Sequence, residues 1–326
     1  MSTWLITGCS TGLGRALASA VLAAGHQAVV TARDAASVSD FVEANPDKFS
    51  ADAYVIADIG PQVVGKPGIT TALRGDVACT IEVSTLGVPV HSGLFGGAAP
   101  DAMTAFIRII DTLHDENGDT VIPGVSSSTW AGADMDEPLY RDGSTILPGV
   151  DFLGTGSLAD RIWAKPSVTV LGIDVPNTVE ASNVLLPKVK ARLSMRIIPG
   201  ADADAELDAL MNHLRSQRPW NCQVVVEKVK AAKPFAVDES HPAVVAAKDA
   251  LKVAYGDEVE SIGSGASIPL VASFKKIAPD AAIILWGAED AAQSRIHASD
   301  ESVDPAEIER MIVAQTLFVK EFAASH

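Results

Sequence analysis

The chain has 326 residues, room for roughly two domains, and its 48% hydrophobic, 20% charged and 5% aromatic side chains exclude a disordered polypeptide. A formal net charge of −16 argues against phosphate-backbone binding, which needs clustered Lys and Arg, and Cys9, Cys79 and Cys222 are too few and too scattered for a disulfide framework or a CxxC metal site. There is no run of about 18 apolar residues and no basic leader, so the expectation is a cytoplasmic protein that engages neither membrane nor nucleic acid.

In chain order, TWLITG is a short β-rich run ending in Gly, and RALASAVLAAG has helical spacing and ends at a glycine suited to a left-handed C-cap. QAVVTARD follows as a second strand. Residues 1–36 therefore form a βαβ unit in which Gly8, Gly12 and Gly14 have TGxxxGxG spacing, letting backbone approach a pyrophosphate at a helix N-terminus. The stretch resembles the start of a short-chain dehydrogenase/reductase. The resemblance places Arg33 where a residue faces the 2′-phosphate of NADP, the other reading being a surface arginine. That family's YxxxK pair is missing, because Asp58, Ser144 and Val259 stand four places after Tyr54, Tyr140 and Tyr255, the only tyrosines. An NADP-dependent oxidoreductase is accordingly disfavoured.

AYVIAD next predicts a strand. Residues 77–232 then alternate: strand CTIEVSTL, helix DAMTAFIRIIDTLHD, strands SVTVLGIDV and KVKARLSMRII, helix ADAELDALMNHLRSQ and strand CQVVVEKVK. That β-α-β-β-α-β order is ferredoxin-like. The polar, Gly-rich stretch from PGVSSSTWAGADMDEPLYRDG is expected to be an irregular excursion. Beyond it, HPAVVAAKDALKVAYG and PAEIERMIVAQTLFVKEFAAS predict amphipathic helices, and AAIILWG a buried strand.

Five stretches occur in one order: GKPGITTALRG, IEVSTLGVPVHSGLFGGAAPDAMTAFIRIIDTLHDENG, NVLLPKVKARLSMRIIPG, GSGASIPLV and IHASDESVDPAEIERM. Over residues 38–326 they resemble the dinuclear zinc peptidases, the family of carnosinase-like dipeptidases, acetylornithine deacetylase and glutamate carboxypeptidase. The resemblance implies an α/β fold. Residues 37–76 and 233–326 would be a partial metallopeptidase catalytic domain, and 77–232 an inserted lid or dimerization domain. The Rossmann-type βαβ fragment precedes them, where it is expected to add two parallel strands and a helix to the catalytic sheet.

The same resemblance implies site residues. Asp58, ending AYVIAD, and His297 stand at metal-ligand positions; without the resemblance they read as a turn residue and a surface histidine. His91, in PVHSGLFGG, matches a histidine that reaches from one subunit's lid into the other's active site and polarizes the scissile carbonyl, the alternative being a cap for the following Gly-rich loop. Arg196, with Gly265 and Ser267, matches positions that bind a substrate's terminal carboxylate; Asn183 would be a further lid contact, and Arg196 otherwise a solvated strand residue. Ala266, Val184 and DIGPQVVG depart from the family pattern.

The family's other ligands, a His and a bridging Asp, and its adjacent glutamates, including the general base, belong to a segment ahead of the matched stretch. Here the dehydrogenase-like unit occupies that place, and no HxD motif occurs. One protein ligand per zinc falls short of the about three that stable catalytic sites use, so zinc binding is expected to be weak or absent. The functional expectation is a homodimeric metallohydrolase relative for small peptides or N-acyl amino acids, impaired in catalysis. The alternative is a noncatalytic homodimerizing module or a fusion artefact.

Overall fold

The computed structural model describes residues 3–6, 12–25, 27–30, 38–49, 51–57, 59–265, 268–289, 294–295 and 299–324. Contacts divide the chain into two units, one of residues 1–71, 237–262 and 268–326, the other of residues 72–236 and 263–267. The first begins with β1 (Thr3–Ile6), α1 (Gly12–Ala23) and β2 (Gln27–Val30), and the two strands pair in parallel from Thr3↔Gln27 to Ile6↔Val30. Gly25 ends the helix as predicted, with φ 76° and its N–H on the Leu22 carbonyl at 3.0 Å. Next come α2 (Ser39–Glu43), α3 (Pro46–Phe49), β3 (Ala53–Ile56) and β4 (Gly68–Leu73, whose last two residues belong to the second unit). Helix α1 buries Ala18, Val21 and Leu22 against Val38 and Phe41. Arg15 reaches Asp40 at 2.7 Å, its guanidinium 5.3 Å from the Phe41 ring centroid.

The second unit contains β5 (Gly75–Ser84), β6 (Val90–His91), α4 (Ser92–Phe95), α5 (Ala102–Asp111), α6 (Glu137–Gly143), β7 (Ser167–Asp174), β8 (Val184–Leu185), β9 (Lys188–Ile197), α7 (Ala203–Ser216), β10 (Gln223–Ala232) and β11 (Phe235–Ala236). Its four long strands form one antiparallel sheet in the order β10-β5-β9-β7. Alternation decides which face is core: β9 buries Val189, Ala191, Leu193, Met195 and Ile197 and turns Lys188, Lys190, Arg192 and Arg196 the other way. Phe106 and Ile109 of α5 and Leu207, Leu210 and Leu214 of α7 pack into the same cluster, each contributing about 1.5–3 kcal/mol relative to exposure. Asp101 and Asp202 cap these helices, accepting from the Thr104 and Ala205 N–H groups at 2.9 and 2.8 Å. This is the ferredoxin-like arrangement that the periodicity predicts.

The excursion expected to be irregular holds two regular pieces, an α-helix and a π-helical turn at Asp160–Ala164. Helix α6 starts where Asp136 accepts from the Leu139 N–H at 2.9 Å, with a proline in the first turn. The excursion is tied by long-range polar contacts: Asp160 accepts from the Trp130 N–H at 2.6 Å, and Lys165 pairs with Asp119 at 3.0 Å.

The chain then completes the first unit with α8 (Pro242–Tyr255), β12 (Glu260–Ser264, which crosses the unit boundary), α9 (Pro269–Ile277), β13 (Ala282–Leu285) and α10 (Pro305–Ala324). Val244, Leu251, Ile284, Trp286 and Phe318 form its core. Fully buried Glu307 accepts hydrogen bonds from the Tyr255 hydroxyl and the Gly65 N–H, both at 2.7 Å, and pairs with Arg310. Burial and this carboxylate both push the Tyr255 hydroxyl up.

The N-terminal strands depart from the expectation that they extend the catalytic sheet. Strands β1 and β2 pair only with each other among the described residues, whereas β3 pairs in parallel with β13, Ala53↔Ala282 to Ile56↔Leu285. The N-terminal unit joins through its helix instead, because α1 offers an apolar stripe to α2. In turn Glu43 of α2 accepts from Ser273 of α9 at 3.1 Å and pairs with Lys276. No helix among the described residues is long and apolar enough to cross a membrane.

Candidate functional site

Asp58, His297, Ser267, Gly8 and Arg33 lie outside the described residues. Gly12 and Gly14 fall in the first turn of α1. The frame beside Asp58 is nevertheless defined. The carboxyl ends of β3 and β13 lie on one edge because the strands are parallel, and such edges are where open α/β sheets bind ligands. Beyond them residues 59–60 and 287–289 run backbone against backbone. A Cβ on Gly60 would lie 1.4 Å from the Glu289 carbonyl oxygen, and one on Gly287 2.5 Å from that of Ile59, so only glycine permits the approach. Among the described residues no three His, Cys, Asp or Glu side chains are placed to hold a metal.

In the second unit two groups of the expected residues come together. His91 ends β6 opposite Val184 of β8, and the Ser92 N–H donates to the Asn183 carbonyl at 2.9 Å, so His91 and Asn183 are neighbours. The His91 Nδ1 accepts from the Gly93 N–H at 3.1 Å and caps α4. The two readings of His91 are therefore compatible. A neutral imidazole that accepts at Nδ1 carries its proton on Nε2, and on this exposed residue that leaves a donor free for a developing oxyanion. A cavity of about 460 Å³ next to this pair is lined by residues 97–101, Thr104, Leu185 and Trp220. Trp220 and Asn221 both hold left-handed backbone, φ 53° and 56°, a conformation that costs on the order of 1 kcal/mol or more per residue.

The other group lies near the far end of β9. Arg196 pairs in register with Asp76 of β5 and Ser167 of β7, and its guanidinium stands 3.9 Å from the Asp76 carboxylate. Asp76 also accepts from Lys230 at 2.5 Å and Ser194 at 2.6 Å. Burial works against its ionisation, but these hydrogen bonds and the Arg196 charge outweigh it and hold the carboxyl below its usual value. Gly265 lies beside Arg74: a Cβ on it would be 3.2 Å from Nη2.

Arg74 is the residue that sequence reasoning missed. It is 9% exposed, donates from Nη1 to the Ser167 hydroxyl at 3.2 Å, and has an unpartnered Nε. Burial and then the Arg196 charge push it down to about 10, partly offset by Tyr140, so it stays cationic at neutral pH. The one sequence signal is its place at the end of the buried run GITTAL, in a stretch whose motif assigned it no role.

Residues 71–222 match the peptidase dimerisation domain family. The chain is 40% identical over 283 residues to the cysteinylglycine-S-conjugate dipeptidase of Corynebacterium striatum, covering 85% of this chain and 62% of that protein. It is 24% identical over 285 residues to the human β-Ala-His dipeptidase, covering 82% and 55%. The chain thus spans somewhat over half the length of these relatives. Among solved structures it is similar to human carnosine dipeptidase 1, with TM-score 0.70 and 20% identity over 98% of this chain and 80% of that one. A metallo-carboxypeptidase of Sulfolobus solfataricus gives TM-score 0.71 and 20% identity over 92% and 72%. These two structural likenesses concern the fold.

Proposed function

Since this chain belongs to the metallopeptidase family that carries the M20-type dimerisation domain, we propose that it is a homodimeric dipeptidase-type protein. Its ligand is a small peptide or N-acyl amino acid, and its turnover is impaired. The zinc that relatives of this kind use would meet Asp58 and His297, one ligand for each ion. By the same resemblance the general-base glutamate belongs to a segment ahead of residue 38.

The spacing along β9 is the observation that carries the reading. Arg196 lies near one end of the strand, and His91 and Asn183 lie beyond the other. Eight residue steps from Lys188 to Arg196 span roughly 26 Å, several times the length of a dipeptide. A single small ligand gripped by Arg196 and polarized by His91 must therefore take the two from different copies of the chain. The resemblance of His91 to a histidine that crosses between subunits fits this division. The two residues act on opposite ends of the ligand. Arg196 binds the terminal carboxylate through its bidentate fork, and the His91 Nε2–H donates to the carbonyl oxygen as charge develops.

The test is sedimentation of the full chain, followed by titration with zinc or cobalt and a dipeptide hydrolysis assay. A dimer with substoichiometric metal and at most trace hydrolysis is expected. A monomer at micromolar concentration would overturn the shared site. Stoichiometric metal binding with hydrolysis that Asp58→Ala abolishes would overturn the impairment.

A further inference from the structure

Arg74 is a buried cation with no carboxylate within ion-pair distance among the described residues. It is nine-tenths buried, its Nη1 is held by Ser167, and its Nε has no partner. Removing a guanidinium from water without a counter-charge is costly, and proteins tolerate it where an anion completes the site. Its surroundings sharpen the imbalance. The cation that acts on Arg74 is Arg196, and the carboxylate nearest Arg196, Asp76, is shared with Lys230. Asp76 is already engaged by Lys230 and Ser194, and Arg196 stands off at 3.9 Å. This occurs in a chain whose formal net charge is −16.

The register puts the two arginines over one face of the sheet. Ser167 is directly opposite Arg196, so their side chains project from the same face. Because Nη1 of Arg74 bonds the Ser167 hydroxyl, the Arg74 guanidinium lies over that face as well. Gly265 presents no side chain to it, the hypothetical Cβ standing 3.2 Å from Nη2.

We infer that Arg74 is a second carboxylate-binding residue, which acts with Arg196 on the terminal carboxylate of one ligand. This rests on the carboxylate-binding role proposed above for Arg196. Arg196 alone would attract a carboxylate; a second fork, anchored by Ser167, fixes its plane and discriminates against a neutral terminus. The Nη2 amino group, which faces Gly265 and carries no hydrogen bond among the described residues, is the donor that the ligand satisfies, and the Nε–H of the same guanidinium reports it.

The test uses the full chain, glycylglycine as probe and glycylglycinamide as its neutral-ended control. Proton–nitrogen NMR follows the Arg74 Nε–H, identified by its loss in Arg74→Lys. Glycylglycine is expected to shift this signal saturably and to bind at least about tenfold more tightly than the amide, the size of a lost charge-assisted fork. Arg74→Lys, with its fold checked by circular dichroism, should lose about tenfold in glycylglycine affinity and little for the amide. Ser167→Ala, which keeps the guanidinium but frees it, should lose about threefold, since an unanchored side chain must be ordered on binding. No binding of glycylglycine, equal binding of both peptides, or unchanged affinity in Arg74→Lys would overturn the inference. Failure of the metallohydrolase reading is registered separately, by the metal and hydrolysis assays, and leaves glycylglycine binding by the two arginines intact.

Discussion

The ferredoxin-like sheet and the N-terminal stretch up to residue 49 are held together in different ways. The sheet pairs two ten-residue strands, β5 and β9, along their whole length and seals one face with α5 and α7 in a single continuous core. The N-terminal stretch has, among the described residues, a pair of four-residue strands, a cluster centred on Leu22 and Phe41, and the ion pairs Arg15 to Asp40, whose aspartate is largely exposed, and Glu43 to Lys276. Large apolar area and extended register make a region stand by itself, whereas a small cluster holds a docked element whose opening need not unfold its neighbour.

The comparison can be broken by substitution. The largest effect is expected from Leu207→Ala, which removes a side chain 1% exposed from the main core. It should lower stability of the second unit by about 2–5 kcal/mol, read as a shifted denaturant midpoint. Phe41→Ala, at 4% exposure in the small cluster, should cost about 3 kcal/mol locally. Its signature is different: faster limited proteolysis between α1 and β3, with the midpoint of the second unit unchanged. If both variants shift every transition equally, the two regions are one cooperative body and the contrast is wrong.

The smallest effect is a pH dependence confined to the sheet. The Asp76 carboxyl is depressed below its ordinary 3.8, so its stabilising contribution is fully present above that value and is lost as pH falls through the lower folded value. Thermal unfolding of wild type against Asp76→Asn should differ at neutral pH and converge as pH drops below about 4. A difference that persists into stronger acid would show that the asparagine acts through packing instead.

Much of the second unit was legible because its elements are long and periodic. KVKARLSMRII alternates over ten residues and ADAELDALMNHLRSQ repeats at helical spacing, and each period can be satisfied in only one secondary structure. The docking of the N-terminal unit was not legible, since the apolar stripe of α1 could equally have covered a sheet face. Which partner it met depended on α2, a five-residue helix with no clear period of its own. His91 was legible as a cap, and the hydrogen bond from the Gly93 N–H to its Nδ1 makes it one.

By itself, then, the sequence determined the β-α-β-β-α-β order, the left-handed end of α1, and the family whose motifs run collinearly from residue 38 onward. Tertiary structure alone decided that Arg74 is buried beside Ser167 and Arg196, and that His91 and Asn183 meet beyond the opposite end of β9. The reason is one of range. Periodicity and caps are written within one or two turns of chain, whereas an unpaired guanidinium exists only once strands distant in sequence have closed the water out around it.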